Sequence, residues 1–259
     1  MKRAKPAIAY GTRGRLSGAD SGIRRVAPSF GKVLHLTSSD KAGDRFAVES
    51  DAERLVSHLL TVDPRVRRFE PQPFTVDLVD GRILRSREAV AEARHKHRQR
   101  TGWRFYTPDF GFEHAAMPRA AAEVKLEGYE GDADYQAALG RAEEVLDAAG
   151  YRFARMVVPA DAKHPLRVNL QLLKMAKRRP DLQPDAQQQE RIEAACGHEA
   201  VTLSALCSVL STAPGAVPAW LMCGAVRSDV VRQPICGSMM LEAAFGDLSH
   251  LHLLEELMR

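Results

Sequence analysis

Asp109 follows Pro108, and 13 residues separate it from the tripeptide Glu123-Val124-Lys125. Carboxylates on neighbouring strands can converge on a hard divalent cation such as Mg²⁺, which prefers oxygen ligands. A lysine two residues beyond the second acid points to the same side of a strand, because side chains alternate. From there an ammonium can hold an attacking water and offset the charge that develops on phosphorus. Metal, water and ammonium together are what phosphodiester hydrolysis requires. Short patterns recur by chance, so competitors matter. Pro-Asp also occurs at 180–181 and 184–185, both in a polar stretch with no strand after it. Asp161 and Lys163 repeat the acid-x-lysine spacing, but in a turn between Pro159 and Pro165 that fixes no direction. Only Asp109, Glu123 and Lys125 have strand context and the required order.

The elements that must position these residues follow from periodicity. Ala52, Leu55, Val56, Leu59 and Leu60 form one apolar stripe at helical spacing. Ser50 and Glu53 are spaced as a capping box at its start, and Asp63-Pro64 stops it. Strands are expected over 31–37, 74–79, 103–106, 121–126 and 152–158, and helices over 88–100, 134–149 and 166–179. Interleaved strands and helices through residue 160 indicate an α/β domain. Beyond it the chain reads as all-helical after a Gln-rich polar linker at 181–190, ending in a helix over 247–259. The expected organisation is an arm at 1–28, a catalytic domain at 29–180 and a small helical module at 181–259, winged-helix-like or partner-binding.

Composition limits the classes further. The chain has 259 residues, 45% of them hydrophobic and 27% charged, with 37 Lys and Arg against 33 Asp and Glu, a net charge of +4. This balance describes a folded protein and permits a nucleic-acid partner without requiring one. Cys196, Cys207, Cys223 and Cys236 form no C-x-x-C pair, and reduced core thiols in a cytoplasmic protein are the expectation. The basic N-terminus leads into no apolar signal segment. Residues 200–226 carry no charge but are broken by Pro214, Gly215 and Pro218, so two buried helices around a turn are expected rather than a membrane span. The run containing Arg94, Lys96, Arg98 and Arg100 suits phosphate contact or a solvated helix face. Lys174, Lys177, Arg178 and Arg179 suit a helix C-terminus complementing its dipole. His95 with His97, and Cys196 with His198, lack a second ligand pair for zinc. Trp103, Phe105 and Tyr106 read as core strand residues. No Ser-His-Asp set, Walker loop or dinucleotide fingerprint is present.

Longer landmarks add to the short motifs. Glu49-Ser50-Asp51-Ala52-Glu53 opens a helix that ends at Val62-Asp63-Pro64-Arg65-Val66. Phe69-Glu70-Pro71-Gln72-Pro73-Phe74 leads into a strand, and Tyr106-Thr107-Pro108-Asp109-Phe110 precedes Glu123-Val124-Lys125. In this order, from Ser29 to Val158, about half of the chain resembles the N-terminal domain of TnsA-type transposon endonucleases, members of the PD-(D/E)XK nuclease superfamily. The resemblance implies a restriction-endonuclease-like mixed central sheet flanked by helices. It places the family's helix acid on Glu53, its turn Asp on Asp109, its acid-or-Gln position on Glu123 and its catalytic lysine on Lys125. It implies Mg²⁺, with Mn²⁺ as a substitute, held by Glu53, Asp109, Glu123 and the Val124 carbonyl. It also implies cleavage of DNA at transposon ends beside a transposase subunit and an ATPase regulator. The segment 83–102 departs from the family by lengthening the connection before Asp109, and the chain after Pro180 matches only loosely. Glu53 fits a capping role as well as a metal role, and the two are compatible. A free-standing phage or defence nuclease, and a non-catalytic DNA- or partner-binding scaffold, use the same residues.

Overall fold

The computed structural model describes residues 22–23, 34–129, 131–197 and 199–258. The expected arm at 1–28 and the start of the first expected strand fall largely outside the described residues, as does His198. The chain is mixed α/β. Strands β1 (His35–Ser39) and β2 (Asp44–Val48) make an antiparallel hairpin. Helix α1 (Asp51–Val62) starts as its spacing predicts, with the Ser50 Oγ accepting from the Glu53 N–H at 3.1 Å. Its stripe of Leu55, Val56, Leu59 and Leu60 is buried.

Strand β3 (Val66–Pro71) then enters the main sheet. The chain leaves that sheet for an insert made of β4 (Thr75–Asp77), β5 (Arg82–Leu84), α2 (Arg87–Lys96) and β6 (Phe105–Tyr106), whose strands form their own sheet in the order β5-β4-β6. It returns through β7 (Phe110–His114) and β8 (Met117–Leu126). Helix α3 (Ala133–Ala148) then carries it over to β9 (Arg152–Val158). The main sheet has the order β3-β7-β8-β9, antiparallel except for the β8–β9 pair. Parallel neighbours need a crossover, and α3 supplies it.

The sequence pattern does not foresee β7, because five residues containing Gly111 offer only a short alternation of Phe110, Phe112 and His114. Gly111 is required there: a Cβ would lie 2.8 Å from the Pro73 Cγ. The two faces of β8 separate the cores. Ala120, Ala122 and Val124 pack in the large cluster with α1, while Ala121 packs with Phe74, Val76, Tyr106, Leu139 and Leu146 beneath the insert and α3.

Beyond α4 (Pro165–Ala176), three expectations are corrected. The Gln-rich stretch is not a linker: Asp185 accepts from the Gln188 N–H at 2.8 Å and caps α5 (Ala186–Cys196), so polar helix formers were mistaken for loop. The region is not all-helical. Strand β10 (Val201–Thr202) is followed by α6 (Leu203–Leu210) and α7 (Val217–Cys223), then β11 (Val226–Arg227) and β12 (Met240–Ala243), with the strands paired β10-β12-β11. Strands this short leave no readable alternation. The last expected helix shrinks to a 3-10 turn at Ser249–Leu251 and the single turn α8 (Leu254–Leu257). The uncharged stretch forms the two helices expected, α6 and α7, bent by 110°. Among the described residues no single helix is long and apolar enough to cross a membrane.

The large cluster runs without a break from Phe46 through Val158 to Leu170, Trp220 and Leu254. Buried Asn169 on α4 ties in the β11–β12 connection, donating to the Val230 and Gln233 carbonyls at 2.8 and 2.7 Å and accepting from the Ile235 N–H at 2.9 Å.

Candidate active site

Strand β7 begins opposite Ala122, so β8 beyond that residue has no β7 partner. Asp109, the residue before β7, fills the gap: its Oδ2 accepts the Val124 N–H at 2.8 Å. In an extended strand the N–H and C=O of one residue point to the same side, so the Val124 carbonyl faces the Asp109 side too. Glu123 and Lys125 share the opposite face of β8 from Ala122 and Val124, as alternation requires, and the Lys125 Nζ lies 2.9 Å from the Glu123 Oε1.

Glu123 is buried, and two phenols hold it. The Tyr106 hydroxyl donates to Oε2 at 2.7 Å, and the Tyr135 hydroxyl donates to Oε1. The Lys125 ammonium also lies 4.3 Å from the centre of the Tyr135 ring. Tyr106 arrives from the insert through β6, and Tyr135 from the first turn of α3, whose cap Asp132 accepts the Tyr135 N–H at 2.8 Å. Gly131 has a φ of +81°, and a Cβ there would meet the Tyr135 ring at 2.4 Å, so only glycine lets the ring occupy this place. Neither tyrosine is identifiable as functional from sequence. Each reads as an apolar core residue, and only the tertiary fold turns its hydroxyl toward an acid.

Glu53 is tied into the start of α1. Its Oε2 accepts the Glu49 N–H at 2.9 Å and its Oε1 the Ser50 hydroxyl at 2.7 Å. The expected capping box is therefore shifted by one residue, the return bond going to Glu49 rather than Ser50. The helix packs on the other face of β8 from Glu123, and Glu53 acts on Glu123 and Asp109 through its charge. Burial raises the Asp109 carboxyl well above the ordinary carboxylate range, with the charges of Glu123 and Glu53 adding to it. Burial also raises Glu53, with Glu49 and Glu123 contributing. Burial beside Glu123 raises both phenols. Glu123 and Lys125 thus meet directly, Asp109 bonds the backbone of Val124 between them, and Asp109, Glu123 and Glu53 act on one another through their charges.

The basic run ends α2. Lys96 pairs with Asp80 at 2.6 Å, and Arg98 donates to the His95 carbonyl at 3.1 Å, while Arg100 is exposed. Arg94 and Arg98 line an open recess of about 720 Å³ with Trp103, Arg104 and Asp134. Trp103 is not a core residue, being 45% exposed, and its ring packs edge-on against Tyr135 at 5.5 Å. A continuous contact therefore leads from the basic recess through Trp103 and Tyr135 to Glu123.

Among the described residues, Glu53, Asp109 and Glu123 do not bring their ligand atoms as close together as another group does. Asp77, Asp80 and His97 bring ligand atoms within 4.8 Å of one another. Protein cations already neutralise it, with Lys96 at 2.6 Å from Asp80 and Arg82 at 3.5 Å from both acids. The four cysteines are unpaired; Cys196 and Cys207 are buried, but Cys236 is exposed, against the expectation of core thiols throughout. Compared with known proteins, the chain matches no protein-family model and no curated protein.

Proposed function

We propose that the protein is a Mg²⁺-dependent DNA endonuclease of the restriction-endonuclease-like class, of the TnsA type. The carrying observation is that Asp109 bonds the Val124 N–H between Glu123 and Lys125, which themselves pair on β8. The order α1-β3-β7-β8-α3-β9, with its antiparallel meander and final parallel strand, supports the reading, because it puts the helix acid, the turn acid and the acid-x-lysine pair on elements that neighbour one another. Residues 186–243 run helix, strand, helix, helix, strand, strand, which supports a winged-helix-like module in the position where TnsA-type relatives meet a partner.

The residues fit a hard cation. Burial first, and then the charges of the neighbouring acids, raise Asp109 and Glu53, and Lys125 is the cation in contact with Glu123 among the described residues. Asp109 and Glu123, with the Val124 carbonyl, would hold Mg²⁺, and Glu53 would orient it or hold a second ion. The ion would supply Lewis-acid activation of the phosphate and a more acidic water. Tyr106 and Tyr135 fix the rotamer of Glu123. The Lys125 ammonium holds the hydrolytic water for in-line attack and stabilises the charge growing on the phosphoryl oxygens. Arg94, Arg98 and Arg104 receive the flanking backbone, with Lys96 and Arg100 at the edge of the same surface. A mobile element is the setting this reading favours, with a transposase and an ATPase as partners.

Asp109→Ala and Lys125→Ala should each lower Mg²⁺-dependent nicking of supercoiled plasmid by about 10²–10⁴-fold, with DNA binding and cooperative unfolding retained. Undiminished nicking by either variant would defeat the assignment.

A further inference from the structure

A second cationic site lies on the outer side of α1, walled by β1, α1 and α4. It is a recess of about 260 Å³ lined by Thr37, Ser38, Arg54, His58, Lys174 and Arg178, among others. Among the described residues no carboxylate lines it. The charges it gathers repel one another: burial, then Arg178 and Arg54, pushes Lys174 down to about 8. Burial, then Lys174 and Arg54, pushes His58 down to about 3. The side chains are nevertheless held in place. Lys174 donates to the Thr37 hydroxyl at 2.5 Å and Arg178 to the Ser38 hydroxyl at 2.8 Å, while Asp51 holds Arg54 from outside the recess at 2.5 Å.

A helix end complementing its dipole accounts for a basic last turn. It does not account for cations from two helices gathered with two hydroxyls from a strand around one small space. Guanidinium, ammonium and hydroxyl donors converging with Asp51 on Arg54 as the counter-charge, and none on Lys174 or Arg178 among the described residues lining the recess, are what a phosphate oxygen cluster satisfies. Arg54 follows Glu53 directly, and His58 lies one turn further along the same helix, so α1 carries residues of both places on different faces.

We infer that this recess binds one phosphate of the DNA backbone outside the scissile position, a contact that rests on the nuclease reading and extends its footprint to the α1–α4 face. The test is fluorescence anisotropy of labelled duplex DNA in EDTA over 50–200 mM NaCl, comparing the full chain with Lys174→Gln/Arg178→Gln. The double variant should bind about tenfold more weakly, with the slope of log affinity against log salt shallower by about one, the share of one phosphate. Unchanged affinity and slope in a variant with native melting temperature would overturn the inference, and would leave an acidic protein segment as the occupant. Loss of inorganic phosphate binding with DNA binding intact would overturn it in favour of a free phosphoryl ligand. Arg178→Gln alone, at an exposed position, carries the same test if the double variant does not fold. Cleavage is not read in EDTA, so failure here and failure of the nuclease assignment remain separate results.

Discussion

Glu123 is closely held, since two phenols and an ammonium meet one carboxylate. Removing the Tyr135 hydroxyl with Tyr135→Phe should weaken Mn²⁺ affinity or activity about 10–100-fold, the usual cost of losing a hydrogen bond behind a metal ligand, and calorimetry would read it. The burial and crowding of the acids have a pH signature. Asp109 and Glu53 are raised above their ordinary values, so the folded chain binds more protons than the unfolded one, and stability of the metal-free protein falls as pH rises above the ordinary carboxylate range. Asp109→Asn removes one of the crowded charges and should raise the melting temperature at pH 8 without metal by about 2–4 °C. A lowered value would contradict the repulsion. Asp109, Glu123 and Lys125 were legible in sequence because strand alternation fixes where an acid-x-lysine pair points. Tyr106 and Tyr135 were not, because their hydroxyls acquire a partner only through contacts 17 and 12 residues away in the chain.

At the scale of elements, α1, α3 and β9 followed from periodicity and caps, since local rules set their limits. Strand β7 and the three short strands after residue 200 did not, because pairing with neighbours rather than intrinsic pattern makes them strands. The turn before α3 shows how an element places a side chain. Gly131→Ala forces both an unfavourable φ and a collision with the Tyr135 ring, so nicking should fall while the α3 core of Leu139 and Leu146 stays intact. Activity and far-UV circular dichroism measured together separate the two. Ser50→Ala removes the N-cap of α1 and should cost about 1 kcal/mol in urea unfolding, and it should also loosen Glu53, whose Oε1 accepts the Ser50 hydroxyl.

Across the whole molecule, the expected division near residue 180 is not reflected in the packing, for one apolar cluster joins the sheet to the C-terminal helices. Composition exposes a polar stretch but not the core shared on either side of it. Trp220 sits fully buried in that cluster, so unfolding followed by its fluorescence in Trp103→Phe should coincide with the far-UV transition. Trp220→Ala should cost about 3–5 kcal/mol. The central claim, that this architecture assembles a metal-dependent nuclease centre at the sheet's end, has a direct test in a crystal soaked with Mn²⁺. Anomalous density should appear between Asp109 and Glu123, beside the Val124 carbonyl, and vanish in Asp109→Asn. Density confined to Asp77, Asp80 and His97, or none at either place, would contradict the account.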